Sequence, residues 1–200
     1  LDEYFQKLLT KMTLAEKIGQ LTLFGSLKKE NETLLKKGLV GALLNVDGAK
    51  RVNEIQKNVI ENTRLGIPLL IGDDVIHGFR TTFPIPLATA SSWDLEKIEA
   101  AERTAALEAR ASGVNWIYAP MVDISRDARW GRIAESAGED TYLGCEIAKA
   151  RVRGFQSKLP ESKFPITACC PKHYAAYGLA EGGRDYESAD ISDLTLFSVY

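Results

Sequence analysis

Histidine, methionine and cysteine are scarce: two, two and three among 200 residues. Three cysteines, two of them adjacent (Cys169, Cys170), do not make a disulfide framework, so the redox compartment stays open. Charge of either sign is not in excess, with 25 basic against 27 acidic residues. That balance lacks the basic footprint of a nucleic-acid binder and the acidic run of a solvating tail. No apolar run is long enough to span a bilayer, which argues against a membrane partner. The opening "LDEYFQKLLTKM" is charged and amphipathic, unlike a signal peptide, although a mature chain from which a signal was removed would read the same way. Neither a G-x-G-x-x-G after the first strand nor a Walker sequence is present, which weakens a nucleotide site. There is no low-complexity stretch and no Pro/Gly/Ser linker. With 45% apolar residues, the chain can bury one large core.

Apolar strand-like runs alternate with helix-like segments. "TLAEKIG" opens a helix through the T-x-x-E capping box Thr13–Glu16, and "QLTLFG" follows as a strand. "KKENETLLKKG" reads as a helix ending at Gly38, then "LVGALLN" as a buried strand ending at Asn45. From Asp47 to Arg64, Val52, Ile55 and Val59 share a helical face. "IPLLIGDD" is a strand ending in two aspartates. After a proline-containing loop, Asp94 caps an alanine-rich helix with Leu95, Ile98, Ala101 and Ala105 on one side. "VNWIYAPMVD" is the fourth strand. Asp140 caps a helix carrying Leu143, Ile147 and Ala150, and "ITACCPKHY" is the fifth strand. Apolar strands without alternation predict a parallel sheet covered on both faces, either doubly wound or closed as a barrel. A full eight-unit barrel needs about 250 residues, so five units here read as an unfinished one. The helix-like "DISDLTLFSVY" then ends a chain expected to be the N-terminal part of a single domain over residues 1–200, truncated at its C-terminus.

In such barrels the site lies at the C-terminal ends of the strands, and here those ends are polar. One ends in Asp73-Asp74 with His77 beyond. The next ends in Asp123, followed by the crowded "SRDARWGRIAE". The last ends in Lys172-His173. Carboxylates that accept from pairs of hydroxyls, beside arginine and lysine that donate, suit a neutral polyol better than a phosphate, which favours basic groups and helix N-termini alone. Trp130 could offer a flat face to a pyranose, whereas Trp93 and Trp116 read as core.

Each residue also has an ordinary reading. Asp73 and Asp74 could turn the chain, and side-chain alternation lets at most one of them face inward. Arg126, Arg129 and Arg132 could be structural, paired with Asp127, Glu135 or Glu139. Lys172 could be a surface lysine or a Schiff-base lysine, and His173 a hydrogen-bonded core histidine. Asp74 and His77 have a spacing that a metal could use, but two histidines and no C-x-x-C speak against a metal. Cys169 and Cys170 read as small buried residues. Joint placement, not any one residue, carries the functional reading.

Three segments carry a resemblance: "DDVIHGFRTTFPIPLA" (Asp73–Ala88), "YAPMVDISRDARWGRIAESAGEDTYL" (Tyr118–Leu143) and "KHYAAYGLAEGGRDY" (Lys172–Tyr186). They resemble glycoside hydrolase family three, in particular its β-glucosidases, and the likeness runs from "MTLAEKIGQL" to the end. The resemblance implies an α/β fold, a (β/α)8 barrel with about five of its eight βα units in this chain. It implies that Asp74, Arg132, Lys172 and His173 bind sugar hydroxyls in subsite −1, with Arg126, Asp127, Arg129 and Glu135 as the charged surround that holds Arg132. It implies a retaining mechanism whose nucleophile and acid/base lie downstream. "ISDL" (Asp193) has the letters of the family's nucleophile motif but comes too soon after Lys172-His173, in a helix-like stretch. No cofactor and no metal are implied. The implied partner is a small β-glucoside or short oligosaccharide, with a further chain segment or second chain completing the barrel. Members that look like this often work outside the cytoplasm.

The absence of a second histidine after Lys172-His173 argues against the β-N-acetylglucosaminidase subgroup. Two positions depart from the family pattern. Ala128 stands where proline is common, and Pro171 precedes Lys172, removing a backbone donor. Three alternatives remain at this stage: a β-xylosidase on the same scaffold, a barrel lyase or aldolase using Lys172, and a non-catalytic sugar-binding fragment.

Overall fold

A computed structural model describes residues 2–200. The strands are parallel where paired in register, and follow one another in the order β1-β2-β3-β4-β5. The residues fall into two compact units.

The first unit runs to Asp73 and includes Ala111–Trp116. It holds α1 (Asp2–Lys11), α2 (Leu14–Gln20), β1 (Leu23–Phe24), α3 (Lys29–Lys36), β2 (Ala42–Leu44), α4 (Ala49–Asn62) and β3 (Leu70–Asp73). The predicted capping box forms at the start of α2. Thr13 Oγ1 accepts from the Glu16 N–H at 3.2 Å, and the Thr13 N–H donates to Glu16 Oε2 at 2.8 Å. The same carboxylate takes Arg64, with Nη2 at 2.5 Å from Oε2 and Nε at 2.9 Å from Oε1. These donors hold the Glu16 carboxyl down at about 2, with Arg64 the largest cause. The α4 face predicted from spacing is the one buried: Val52, Ile55 and Val59 pack with Leu35, Val40, Leu43 and Ile71. Gly41 is required by proximity, because a Cβ there would lie 2.1 Å from the Gln20 carbonyl oxygen. Asn115 brackets β3, its N–H donating to Ile71 O at 3.0 Å while its Oδ1 accepts the Ile71 N–H at 2.8 Å.

The second unit holds α5 (Pro86–Ala90), α6 (Leu95–Ala111, of which Ala111 belongs to the first unit), α7 (Thr141–Phe155), β5 (Ala168–Cys169) and α8 (Asp193–Val199), while β4 (Trp116–Ile117) enters it at Ile117. Asp94 and Asp140 cap as predicted, accepting from the Lys97 and Leu143 N–H groups at 2.9 and 2.7 Å. Ile98, Ile147 and Ala150 meet between α6 and α7, with Leu95 and Leu143 at the margin. Gly154 lets the helices close up, since a Cβ there would stand 2.5 Å from Glu99 O. One ion pair is buried in this layer. Arg151 Nε donates to Glu102 Oε1 at 2.5 Å, and Arg151 Nη2 to the Ile76 carbonyl at 2.7 Å.

Two expectations about elements need correction. The proline-containing loop before Asp94 includes a short helix, α5, opened by Pro86, whose missing N–H costs nothing at a first helical position. The fourth and fifth strands are also much shorter than their apolar runs. Pro120 and Pro171 offer no N–H to a ladder, so regular pairing stops before them. The backbones nonetheless stay aligned: Cys170 N–H donates to Ile117 O at 2.8 Å, Lys172 N–H to Pro120 O at 3.0 Å and Val122 N–H to Lys172 O at 2.7 Å. The polar residues therefore sit just past the regular strands, in register across the break.

Candidate active site

Asp74, His77, Asp123, Arg132, Lys172 and His173 of the predicted cluster lie in the second unit, whereas Asp73 ends a stretch of the first. Asp74 begins the loop after β3. His77 and Gly78 shape this loop. The His77 carbonyl accepts the Phe83 N–H at 2.8 Å, and its Nδ1 lies 3.1 Å from Phe83 O. Gly78 has φ 106°, and a Cβ there would strike Thr81 O. Glu108 on α6 accepts from the Arg80 and Thr81 N–H groups, each at 2.8 Å. The D-x-x-H-G spacing thus closes a loop. Asp74 faces Lys172 instead, whose Nζ donates to Asp74 Oδ1 at 2.5 Å.

Asp123 follows the β4 segment with its side chain fully buried. Its Oδ2 takes the His173 N–H at 3.1 Å and stands 2.8 Å from His173 Nδ1. A carboxylate only accepts, so Nδ1 carries the proton and Nε2 is left for another partner. Arg132 lies in the 3-10 turn Gly131–Glu135. Its Nε and Nη2 donate to Glu135 Oε1 and Oε2 at 2.7 and 2.8 Å. This two-point clamp raises the guanidinium pKa above its ordinary value, against the opposing effect of burial.

Tyr177, which sequence reasoning did not single out, joins these groups. Its ring lies 5.5 Å beneath the Arg132 guanidinium. It meets the His173 ring edge-on at 4.7 Å and the Trp130 ring at 5.1 Å. Its hydroxyl donates to Asp185 Oδ1 at 2.5 Å, and Trp130 Nε1 donates to the same oxygen at 3.0 Å. Burial first, and the Asp185 carboxylate next, push the Tyr177 phenol up to about 12. The Tyr177 and Trp130 donors hold Asp185 below the usual carboxylate range. The available signal was that Tyr177 and Asp185 fall inside the third resembling segment.

The surround expected around Arg132 divides. Glu135 touches it. Asp127 and Arg129 pair with each other, Nη2 to Oδ2 at 2.7 Å, which takes the Asp127 carboxyl down to about 2. Arg126 is exposed. These three line, with Gly178–Gly182 and Asp190, an open cleft of about 590 Å³ that includes none of Asp74, Arg132, Lys172 or His173. Two tryptophan expectations are corrected. Trp130 is wholly buried and supports Tyr177 from within, so it offers no face to a sugar. Trp93, expected in the core, is 74% exposed with φ 58°, because the chain turns outward between α5 and α6. Cys169 is half-buried, and burial pushes its thiol up to about 11, as suits a small packing residue.

Parallel strands in sequence order, with charged side chains gathered past their C-terminal ends, define the class of (β/α)8-barrel proteins with a polar site at the strand ends. Residues 13–200 match the Glycosyl hydrolase family 3 N terminal domain. The chain is 42% identical over 203 residues to a periplasmic beta-glucosidase of Salmonella typhimurium, covering 100% of this chain and 26% of that protein. It is 31% identical over 220 residues to a putative beta-xylosidase of Formosa agariphila, covering 98% and 29%. The crystal structure of a beta-glucosidase from Listeria innocua in complex with glucose matches with a TM-score of 0.90 at 37% identity, covering 100% of this chain and 30% of that one. This chain belongs to glycosyl hydrolase family 3. It spans less than a third of the length of each of these relatives.

Proposed function

We propose that these residues form the sugar-binding part of the catalytic barrel of a retaining β-glucosidase that removes terminal β-D-glucosyl units. Asp74 and Glu135 are acceptors, Lys172 and Arg132 donors, and His173 presents Nε2. Of these, Asp74, Arg132, Lys172 and His173 contact hydroxyls of the glucosyl unit in subsite −1. The observation that carries the reading is the linked set Asp123–His173–Tyr177–Arg132–Glu135 beside Lys172–Asp74: every member is held by another, so the donors are aimed before substrate arrives. The likeness to beta-glucosidases supports it further.

In the proposed reaction a carboxylate attacks the anomeric carbon while an acid protonates the leaving oxygen. Water then releases the glycosyl-enzyme, with the acid acting as base. The two carboxyls, about 5–5.5 Å apart in such enzymes, are supplied by chain outside residues 1–200, so this part alone binds sugar without cleaving it. Asp193, which opens α8, is not in a position resembling a strand end. The resemblance of the putative beta-xylosidase favours a second reading, a pentosidase on the same scaffold.

The test is kinetic, in the complete protein. Arg132→Ala is expected to lower kcat/KM by about tenfold or more, the loss of a charged hydrogen bond. Unchanged kinetics would remove Arg132 from the site. Comparing kcat/KM on aryl β-glucoside and aryl β-xyloside separates the two substrates.

A further inference from the structure

One buried charged pair in the second unit has no part in the proposed reaction. Arg151 on α7 and Glu102 on α6 have side chains only 3% and 10% exposed. Arg151 Nε donates to Glu102 Oε1 at 2.5 Å. Burial strips both ions of water, and such a pair commonly gives no more stability than well-packed apolar side chains of similar volume. Stability alone is therefore a weak reason for an arginine at this position.

The second donor of Arg151 supplies a stronger one. Its Nη2 donates to the Ile76 carbonyl at 2.7 Å. β3 stops at Asp73, so this carbonyl lies beyond the strand ladder, in the loop that begins with Asp74. Val75, between Asp74 and Ile76, is fully buried, so the link is short and packed. Asp74 Oδ1 in turn takes Lys172 Nζ at 2.5 Å. The guanidinium is itself fixed, by Glu102 at Nε and by the Phe155 ring 5.9 Å from Cζ. The far end of the loop is held separately, where Glu108 accepts from the Arg80 and Thr81 N–H groups.

We propose that Arg151 is a positioning residue for Asp74. Its buried guanidinium pins the Ile76 carbonyl, and through that short link sets the Asp74 carboxylate at the hydroxyls of the glucosyl unit. Glu102 keeps the guanidinium aimed, and neither side chain touches the sugar. The proposal rests on the β-glucosidase reading, in which Asp74 is a hydroxyl acceptor, and adds to it the group that aims that acceptor.

The experiment separates orientation from stability in the complete protein. In Glu102→Leu/Arg151→Met both ions are replaced by apolar side chains, so the urea midpoint is expected to recover most of what Arg151→Met alone loses. The Ile76 carbonyl is left without its guanidinium. On an aryl β-glucoside kcat/KM is expected to fall about three- to tenfold, with glucose inhibition weakened to match. Arg151→Lys is expected to show the same loss, because one ammonium lacks the fork that serves Glu102 and Ile76 together. Glu102→Gln does the reverse. It leaves an acceptor for Nε and leaves Nη2 on Ile76, so the midpoint falls while kcat/KM stays within about twofold. Monodeoxy aryl glucosides test the route through Asp74. The loss is expected to vanish on the substrate lacking the hydroxyl that Asp74 holds, and to persist on the others. Undiminished kcat/KM in both Arg151 variants, equal losses on every deoxy substrate, or a kcat/KM that tracks the midpoint across the variants would make the pair structural. Each of these overturns the positioning role and leaves the glucosidase reading in place. A parent protein that hydrolyses no aryl β-glucoside refutes that reading, and the positioning role with it.

Discussion

Arg132 can serve a sugar only if its guanidinium is held still, and Glu135 is what holds it. The consequence is measurable in Glu135→Gln. The clamp is made of two charged hydrogen bonds, at 2.7 and 2.8 Å, between side chains 24% and 25% exposed. The substitution removes the charge and replaces one acceptor oxygen by an amide that faces a guanidinium donor. A charged hydrogen bond contributes about 1.5–3 kcal/mol, and a neutral one about half as much. Partial exposure reduces the difference. A net loss of about 1–2 kcal/mol in the oriented state is expected, which lowers kcat/KM roughly five- to thirtyfold. The assay is aryl β-glucoside hydrolysis by the complete protein, with glucose inhibition as a readout of ground-state binding. Arg132→Lys and the double variant complete a cycle, because a lysine ammonium cannot donate to both Glu135 oxygens with the planar fork of arginine. Coupling between the two changes is the expected signature. If Glu135→Gln stays within about twofold of the parent and the double variant is additive, Glu135 does not orient Arg132 and the reasoning fails.

Two further outcomes test the scaffold. Arg151→Met leaves Glu102 buried without its cation and frees the Ile76 carbonyl, in a layer where Arg151 is only 3% exposed. A loss of about 3–5 kcal/mol is expected in urea unfolding, and a change below about 1 kcal/mol would refute the importance of the pair. Glu16, whose carboxyl is held at about 2 by Arg64 and the Thr13 backbone, contributes stability above its unfolded value near 4.5 that is lost as pH falls through about 2. Glu16→Gln should therefore flatten the fall in unfolding midpoint between these two values. An unchanged acid profile would exclude Glu16 as its source.

Helix starts were legible because capping is local: Thr13, Asp94 and Asp140 each receive an N–H from three residues on. The inward face of α4 was legible because a period near 3.6 records which side meets the core. The ends of β4 and β5 were less so. Apolar runs mark burial, but pairing depends on donors that Pro120 and Pro171 lack. Trp130 and Trp93 misled for a related reason. Side-chain type sets what burial is worth, while the path of the chain sets which ring is covered.

The sequence by itself determined that this chain alternates buried strands with capped helices, and that acids, arginines, a lysine and a histidine follow the strand ends. Long, specific segments also carried its family. Only the tertiary structure decided which of those charges meet. Lys172 takes Asp74 from 98 residues away, and Asp123 takes His173 from 50. Such pairs depend on where backbones pass in space, and no local period or cap encodes that. The same holds for Tyr177. Its place among Arg132, His173, Trp130 and Asp185 exists only once two loops far apart in sequence have folded together.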